Sequence, residues 1–565
     1  VPEGAPAARF VARINKETPG TFWIDELAVV PVAAAANKMR LMFNMEALGH
    51  LLYPADPRKA TIEVWSLQPL TADKATVSVR DYWGAEQAPA IEVPLRSAGE
   101  EKGYQKYLGD IDLTALPLEV GRYYELHGSV ARDGAEPYED FSAFAILPEA
   151  PANAFKPEEI PFTSHSWDDR VPEHVKLSHR LGLRITGLVY QYNFKNPSKT
   201  RLDNADLAKD LGMGVLTSSL ASSVERRVPP FDKITPESEE ILRESVRYEM
   251  KKYGHIRPLI IKMGNEPHNV GEGIKLNVEA YRIIYSEFKK IDPNMMVVGS
   301  SIGPVEDYFK AGFGKWCDAY DFHTYEDPED IRNIIAVRYP EMFKKYGYPR
   351  PIWATEVGLN SQGMTRHAVA VALYKKFLNF FAAGGANVSW FSLLYPDPNA
   401  KIAETDPFSE AHNTFVSRDV RYAPERDAIA YYNTVNAILD KKPVSEKLYP
   451  GDAQMFLFRN AKGSSMLAAY TKKGRQDVFV PLEGVGEVKV IRIDGTVSAM
   501  NAGGKGLTLT INEDPLILLF DGGPAMLAET LGEPAVKLAG ASGQFVGGVE
   551  GHVDFALSGV TPEQV

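Results

Sequence analysis

Two carboxylates sit where hydrolytic chemistry would place them. Glu266, in IKMGNEPHNV (residues 261–270), follows the apolar run Pro258-Leu259-Ile260-Ile261, and Glu356, in PIWATEVGLN (351–360), closes a second apolar run. Such a pair can split a glycosidic bond. One carboxylic acid protonates the departing oxygen, while the other carboxylate attacks the anomeric carbon or activates a water.

The neighbours add to this chemistry. Pro267 disfavours the helical region for Glu266 and is expected to hold it extended. In DFHTYED (321–327), His323 and Tyr325 are two residues apart and share one strand face. From there the Tyr325 phenol is expected to donate to Glu356 and favour its ionised form. Trp390, in NVSWFSLLYPD, offers an apolar floor for a sugar ring. His165, Trp167, Tyr190 and Tyr395 are further candidates to line the site. Each of these has a plainer role open to it, as a satisfied core residue or as packing at the rim. Lys262, counted back by twos from Glu266, faces the same interior and needs a carboxylate partner there.

Residues so placed need a scaffold that brings distant strand ends together. From about residue 160, apolar runs of four to eight residues alternate with longer amphipathic stretches, the pattern of repeated βα units. Eight strands are predicted: 161–167, 183–193, 214–223, 257–267, 295–303, 319–327, 351–360 and 387–397. The implied fold class is α/β, a (β/α)8 TIM barrel whose active face lies at the C-terminal ends of the strands. Glu266 then ends the fourth strand and Glu356 the seventh, on opposite sides of the mouth.

Alternating runs such as KATIEVWSLQPL and KATVSVRDYW precede this region, and QMFLFRN, QDVFVPL and LILLFDG follow it. The predicted organisation is an Ig-like β-sandwich at 37–150, the barrel at 155–440 and a small antiparallel β domain at 441–524. Residues 1–36 read as the end of an upstream jelly-roll-like module or linker, and 525–565 as a linker and the start of a further β module. The chain opens on Val1, not Met, and both ends look cut, so a longer multidomain protein is expected, with additional carbohydrate-binding modules.

Composition narrows the function classes. Of the 565 residues, 44% are hydrophobic and 24% charged, which suits a soluble globular chain, and the net charge of -12 disfavours nucleic acid as a partner. No apolar run is long enough to span a membrane. The single cysteine, Cys317, excludes an internal disulfide and a multi-thiolate metal site. His165-Ser166-Trp167 and His323-Thr324-Tyr325 lack the His-x-His pair of zinc barrels, and no Gly-rich phosphate loop stands out. Neither a metal nor a cofactor is expected.

Taken together, GNEP, HTY, TEVG and SWF on the fourth, sixth, seventh and eighth strands resemble the retaining glycoside hydrolases of clan A. The order of sandwich, barrel and small β domain is similar to family 39 and family 79 members. The resemblance covers roughly 160–525. It implies that Glu266 is the acid/base, Glu356 the nucleophile and Asn265 a partner for the sugar 2-hydroxyl. In that role Glu266 must start protonated, and burial plus the Glu356 charge about 5 Å away are expected to raise its pKa.

One departure is visible: the clan carries an Arg late on strand two, whereas Arg184 comes early on LRITGLVYQYN, and no role is assigned to it. A carbohydrate is the expected partner, in a secreted, periplasmic or cell-surface bacterial setting. A non-catalytic glycan-binding barrel and a transglycosidase with the same residues are the alternatives.

Overall fold

The structure, a computed structural model, describes residues 39–101, 103–132, 134–148, 161–165, 172–189, 199, 202, 204–218, 233–267, 271–359, 361, 364–394, 414–416, 422–532, 537–543 and 553–558. The module expected at 1–36 lies outside them. Of the one expected beyond 525, the strand pair Lys537–Gly543 and Val553–Ser558 is described.

At the centre lie parallel strands in two sheets. One runs Ile185–Val189, Gly214–Ser218, Leu259–Lys262, Met296–Val298, and the other Tyr320–Thr324, Ile352–Gly358, Asn387–Phe391. Isolated parallel bridges extend the pairing. Val298 bridges to Ala319, Ser164 to Thr186 and Phe162 to Val388. The stretch predicted as a first full strand therefore appears, within 161–165, as two single bridges.

Helices cover the outer face of this curled layer. Pro236–Tyr253 starts where Thr235 and Ser238 form a capping box behind Pro236, and it buries Leu242, Val246 and Glu249 at helical spacing. Glu272–Ile291 buries Ile274, Val278, Tyr281 and Phe288 in the same way. The helical stretch from Pro328 to Tyr346 is broken in two by a π-turn at Ile334–Arg338. Pro340 accounts for it: a proline has no N–H to give to the turn before it, and its ring crowds the carbonyl four residues back. Among the described residues no helix is long and apolar enough to cross a membrane.

The inner face of the strands has two levels. Ile185, Leu216, Ile260, Val298, Ala319 and Trp353 pack together as an apolar floor. Two residues further along the same strands come Lys262, Asp321 and Thr355, all buried.

Flanking sheets are antiparallel apart from one short parallel pair. Before the parallel layer, strands 39–44, 59–66, 104–112 and 96–101 form one sheet, and 51–52, 135–146, 122–132, 74–81 and 91–94 another. Phe43, Ile62, Val77 and Phe144 share the core to which both sheets contribute. After it, a six-stranded sheet ordered 442–448, 453–459, 464–471, 516–521, 487–491, 497–501 is accompanied by the pair 476–481 and 506–511.

The floor carries the polar level above it, so its loss is expected to be costly. Trp353 is 2% exposed. Trp353→Ala is expected to lower unfolding free energy by about 3–5 kcal/mol in a urea titration; a change near zero would mean that the floor does not support this region.

Candidate active site

The polar level is built around Asp321. Its carboxylate accepts from the Thr355 N–H (2.8 Å) and hydroxyl (2.8 Å), and from the Ser301 N–H (3.1 Å) and hydroxyl (2.7 Å). Lys262 Nζ lies 3.6 Å from the same group and donates to Asn265 Oδ1 at 2.9 Å. The interior lysine thus has its carboxylate partner, on the neighbouring sheet. Because an ammonium only donates, the Asn265 amide must present its oxygen to Lys262.

His323 stands on this base. Its Nε2 is 3.0 Å from Thr355 Oγ1 and 3.3 Å from Lys262 Nζ. These two contacts compete, since the first uses Nε2–H as a donor and the second uses Nε2 as an acceptor. The Thr355 hydroxyl hydrogen is committed to Asp321, which leaves Oγ1 to accept, so Nε2 carries the hydrogen. The other nitrogen, Nδ1, lies 2.6 Å from Glu266 Oε1 and 3.2 Å from Glu356 Oε2. A contact between Nδ1 and a carboxyl oxygen at 2.6 Å requires one proton between them.

Glu356 is the more enclosed carboxylate, its side chain 5% exposed against 35% for Glu266. Tyr325 Oη donates to its Oε2 at 2.8 Å, and His165 Nε2 lies 3.2 Å from its Oε1. Burial works to raise the Glu356 carboxyl, but His323, His165 and Lys262 hold it well below the usual carboxylate range. Burial and the neighbouring Glu356 push the Tyr325 phenol far upward, so it remains a donor.

A carboxylate oxygen of Glu266, one of Glu356 and a His323 ring nitrogen all fall within 4.8 Å of one another. The same atoms offer a donor set for a divalent cation, with Thr355 as an outer acceptor for the imidazole.

Several expectations change. Glu266 is not extended: its φ is 49°, in the left-handed region just past the strand end at Lys262. Pro267 does keep it out of the right-handed helical region, but alternation no longer dictates where its side chain points. Nor is its carboxyl raised. The His323 hydrogen bond first, then the charges of His323 and Lys262, lower it against burial and the Glu356 charge.

Trp390 is not an exposed floor. It is 2% exposed and meets Phe377 of the helix Arg366–Ala382 edge-on at 5.8 Å. The face parity is off by one, and Phe391 is the aromatic at the mouth, 5.0 Å from the His165 ring and 5.9 Å from that of Tyr325. Trp167, Tyr190 and Tyr395 lie outside the described residues. Arg184 precedes the strand Ile185–Val189, at the end away from the mouth, and bonds the Leu183 carbonyl.

Sequence reasoning missed Asp321, Thr355, Ser301 and Phe391. Asp321 was within reach, because it lies two residues before His323 on the same strand. Thr355 was not. Register shifts between Ala354 and Val357, and between Asp321 and His323, let the consecutive residues Thr355 and Glu356 both face His323. A bulge of this sort re-aims a side chain against simple alternation.

No protein-family model matches the chain, and no curated protein matches it in sequence. Solved structures do resemble it. A family 39 glycoside hydrolase from the gut symbiont Bacteroides cellulosilyticus WH2 aligns over 84% of this chain and 99% of its own, at 15% identity and a TM-score of 0.59. A glucosidase from Croceicoccus marinus aligns over 61% and 91%, at 12% identity and a TM-score of 0.44. For β-glucuronidase 2 from Bacteroides uniformis the figures are 92% and 60%, 12% identity and 0.35, so the match spans less than two thirds of that chain. The first establishes a glycoside-hydrolase-like fold.

The lowered carboxyls have a consequence for stability. Both Glu266 and Glu356 sit below their ordinary value of 4.5 in the folded chain. The unfolded chain therefore binds more protons as pH falls below that value, and stability present at neutral pH is lost on acidification. Between about pH 6 and about pH 3, urea midpoints are expected to fall less in Glu356→Gln than in the wild type; equal falls would contradict the assigned electrostatics.

Proposed function

We propose that the chain is a retaining glycoside hydrolase acting on a β-linked or equivalently equatorial polysaccharide or oligosaccharide. The observation that carries this is the spacing of the two carboxylates. Oxygens of Glu266 and Glu356 approach within 4.8 Å. Retaining enzymes hold their carboxyl groups about 5–5.5 Å apart, whereas inverting ones leave about 6.5–9.5 Å for a water.

Glu356, buried and held ionised by its neighbours, attacks the anomeric carbon and forms a glycosyl-enzyme. Glu266, more open to solvent, delivers to the leaving oxygen the proton it shares with His323 Nδ1, then takes one from the incoming water. That shared proton need not rest on the carboxyl before substrate arrives. Asn265, with its oxygen on Lys262, is the proposed partner for the sugar 2-hydroxyl.

The proposal includes a closed (β/α)8 barrel at 155–440, which the bridges at Phe162, Ser164 and Val298 support. It also includes the domain borders at 37–150 and 441–524, further carbohydrate-binding modules, and an extracellular or periplasmic setting.

A panel of polysaccharides and aryl glycosides, with product anomers followed by NMR, tests the assignment. Glu266→Gln is expected to lower kcat by about 10²–10⁴-fold on unactivated glycans and far less on aryl glycosides with good leaving groups. Glu356→Gln is expected to stop turnover of both, and products should keep the anomeric configuration. Full activity in both variants would end the proposal. A chelator should leave activity unchanged; loss restored by a divalent cation would favour the metal reading of Glu266, His323 and Glu356. Transfer to an added acceptor sugar would mark a transglycosidase.

A further inference from the structure

The helix Arg366–Ala382 lies behind the strands that carry His323 and Glu356, and it sends one buried cation toward their ends. Lys376 is 1% exposed. Its Nζ donates to the carbonyls of Tyr325 (3.1 Å), Glu326 (2.5 Å) and Gly358 (2.7 Å). An ammonium has three N–H donors, and all three are used on main-chain oxygens. Tyr325 and Glu326 follow the strand Tyr320–Thr324, and Gly358 ends the strand Ile352–Gly358.

A second contact ties the same places together. The Tyr325 ring packs closely against Gly358, where a Cβ would come within 2.4 Å of Cε1 and 2.7 Å of Cδ1. From there the phenol reaches Glu356 Oε2. Lys376 grips the backbone on both sides of this contact without touching either carboxylate.

We propose that Lys376 is a positioning residue: its ammonium locks the ends of the Tyr320–Thr324 and Ile352–Gly358 strands together, so that Tyr325 is held against Glu356 in attacking geometry. The proposal rests on Glu356 being the nucleophile.

The lock requires a charged Lys376, since a neutral amine has two N–H groups for three carbonyls and turns a lone pair toward one of them. Burial pushes Lys376 down to about 8, against the upward pull of Asp327, Glu326 and Asp330 from the adjoining loop and the helix Pro328–Asn333. On that helix Glu329 is paired with Lys472 and Arg332 with Glu446. From the strand Ile352–Gly358 the charged group is Glu356 itself.

Lys376→Met and Lys376→Arg test this on whichever glycoside the wild type turns over, with kcat and KM followed against pH. Wild-type kcat is expected to fall on an alkaline limb near the Lys376 value of about 8. Lys376→Met should lose kcat about 10- to 100-fold, keep KM within about two-fold and lose that limb. Lys376→Arg should move the limb upward. Independently of turnover, amide hydrogen exchange should quicken in Lys376→Met at 325–327 and 358–359, more than elsewhere in the two strands. If Lys376→Met does not fold, Lys376→Gln takes its place with the same readouts.

Wild-type kcat, limb and exchange in the variant would overturn the proposal. Were no glycoside turned over, the exchange result would decide alone, with unchanged exchange overturning the lock. An inactive Glu356→Gln beside an unaffected Lys376→Met would sink the lysine's role and leave the double displacement standing.

Discussion

The charge arrangement at the strand ends turns on one ring nitrogen. His323 Nδ1 stands 2.6 Å from Glu266 and 3.2 Å from Glu356. Two ionised carboxylates with oxygens this close repel by on the order of 3 kcal/mol at an effective dielectric near 20. The proton in the Nδ1 contact relieves that repulsion and leaves the pair unequal. Glu356 is the enclosed member, ringed by donors and cations, and Glu266 is the member that solvent can reach. Such divergence between neighbouring carboxyls is what separates a nucleophile from an acid/base.

Much of the surrounding structure serves to keep that nitrogen in place. Thr355 fixes which imidazole nitrogen bears hydrogen, and Asp321 fixes Thr355. Lys262 sits beside Asp321 and turns Asn265. Two strand irregularities allow Thr355 and Glu356 to face one ring. The cost is visible at Glu266, whose left-handed backbone is a conformation that non-glycine residues seldom adopt.

The sequence made some of this plain. Apolar runs followed by polar residues located the strands that hold Glu266, His323 and Glu356, because two-residue alternation and strand-end polarity survive in any parallel sheet. The interior position of Lys262 and its need for a carboxylate were legible on the same ground. What failed did so where alternation fails. Bulges hid Thr355, a slip of one residue put Trp390 where Phe391 stands, and a left-handed turn placed Glu266 outside the strand's pattern. The direction of the Glu266 shift was lost as well, since it depends on one hydrogen bond from a strand 57 residues away in sequence.

The central claim is that Glu356 carries the sugar through a covalent intermediate. Intact mass followed by peptide mapping, after incubation with a panel of 2-deoxy-2-fluoro glycosyl fluorides of equatorial sugars, tests it most directly. A single glycosyl adduct is expected on the peptide containing Glu356, absent in Glu356→Gln. An adduct on another residue, or hydrolysis with inversion and no adduct, would contradict it.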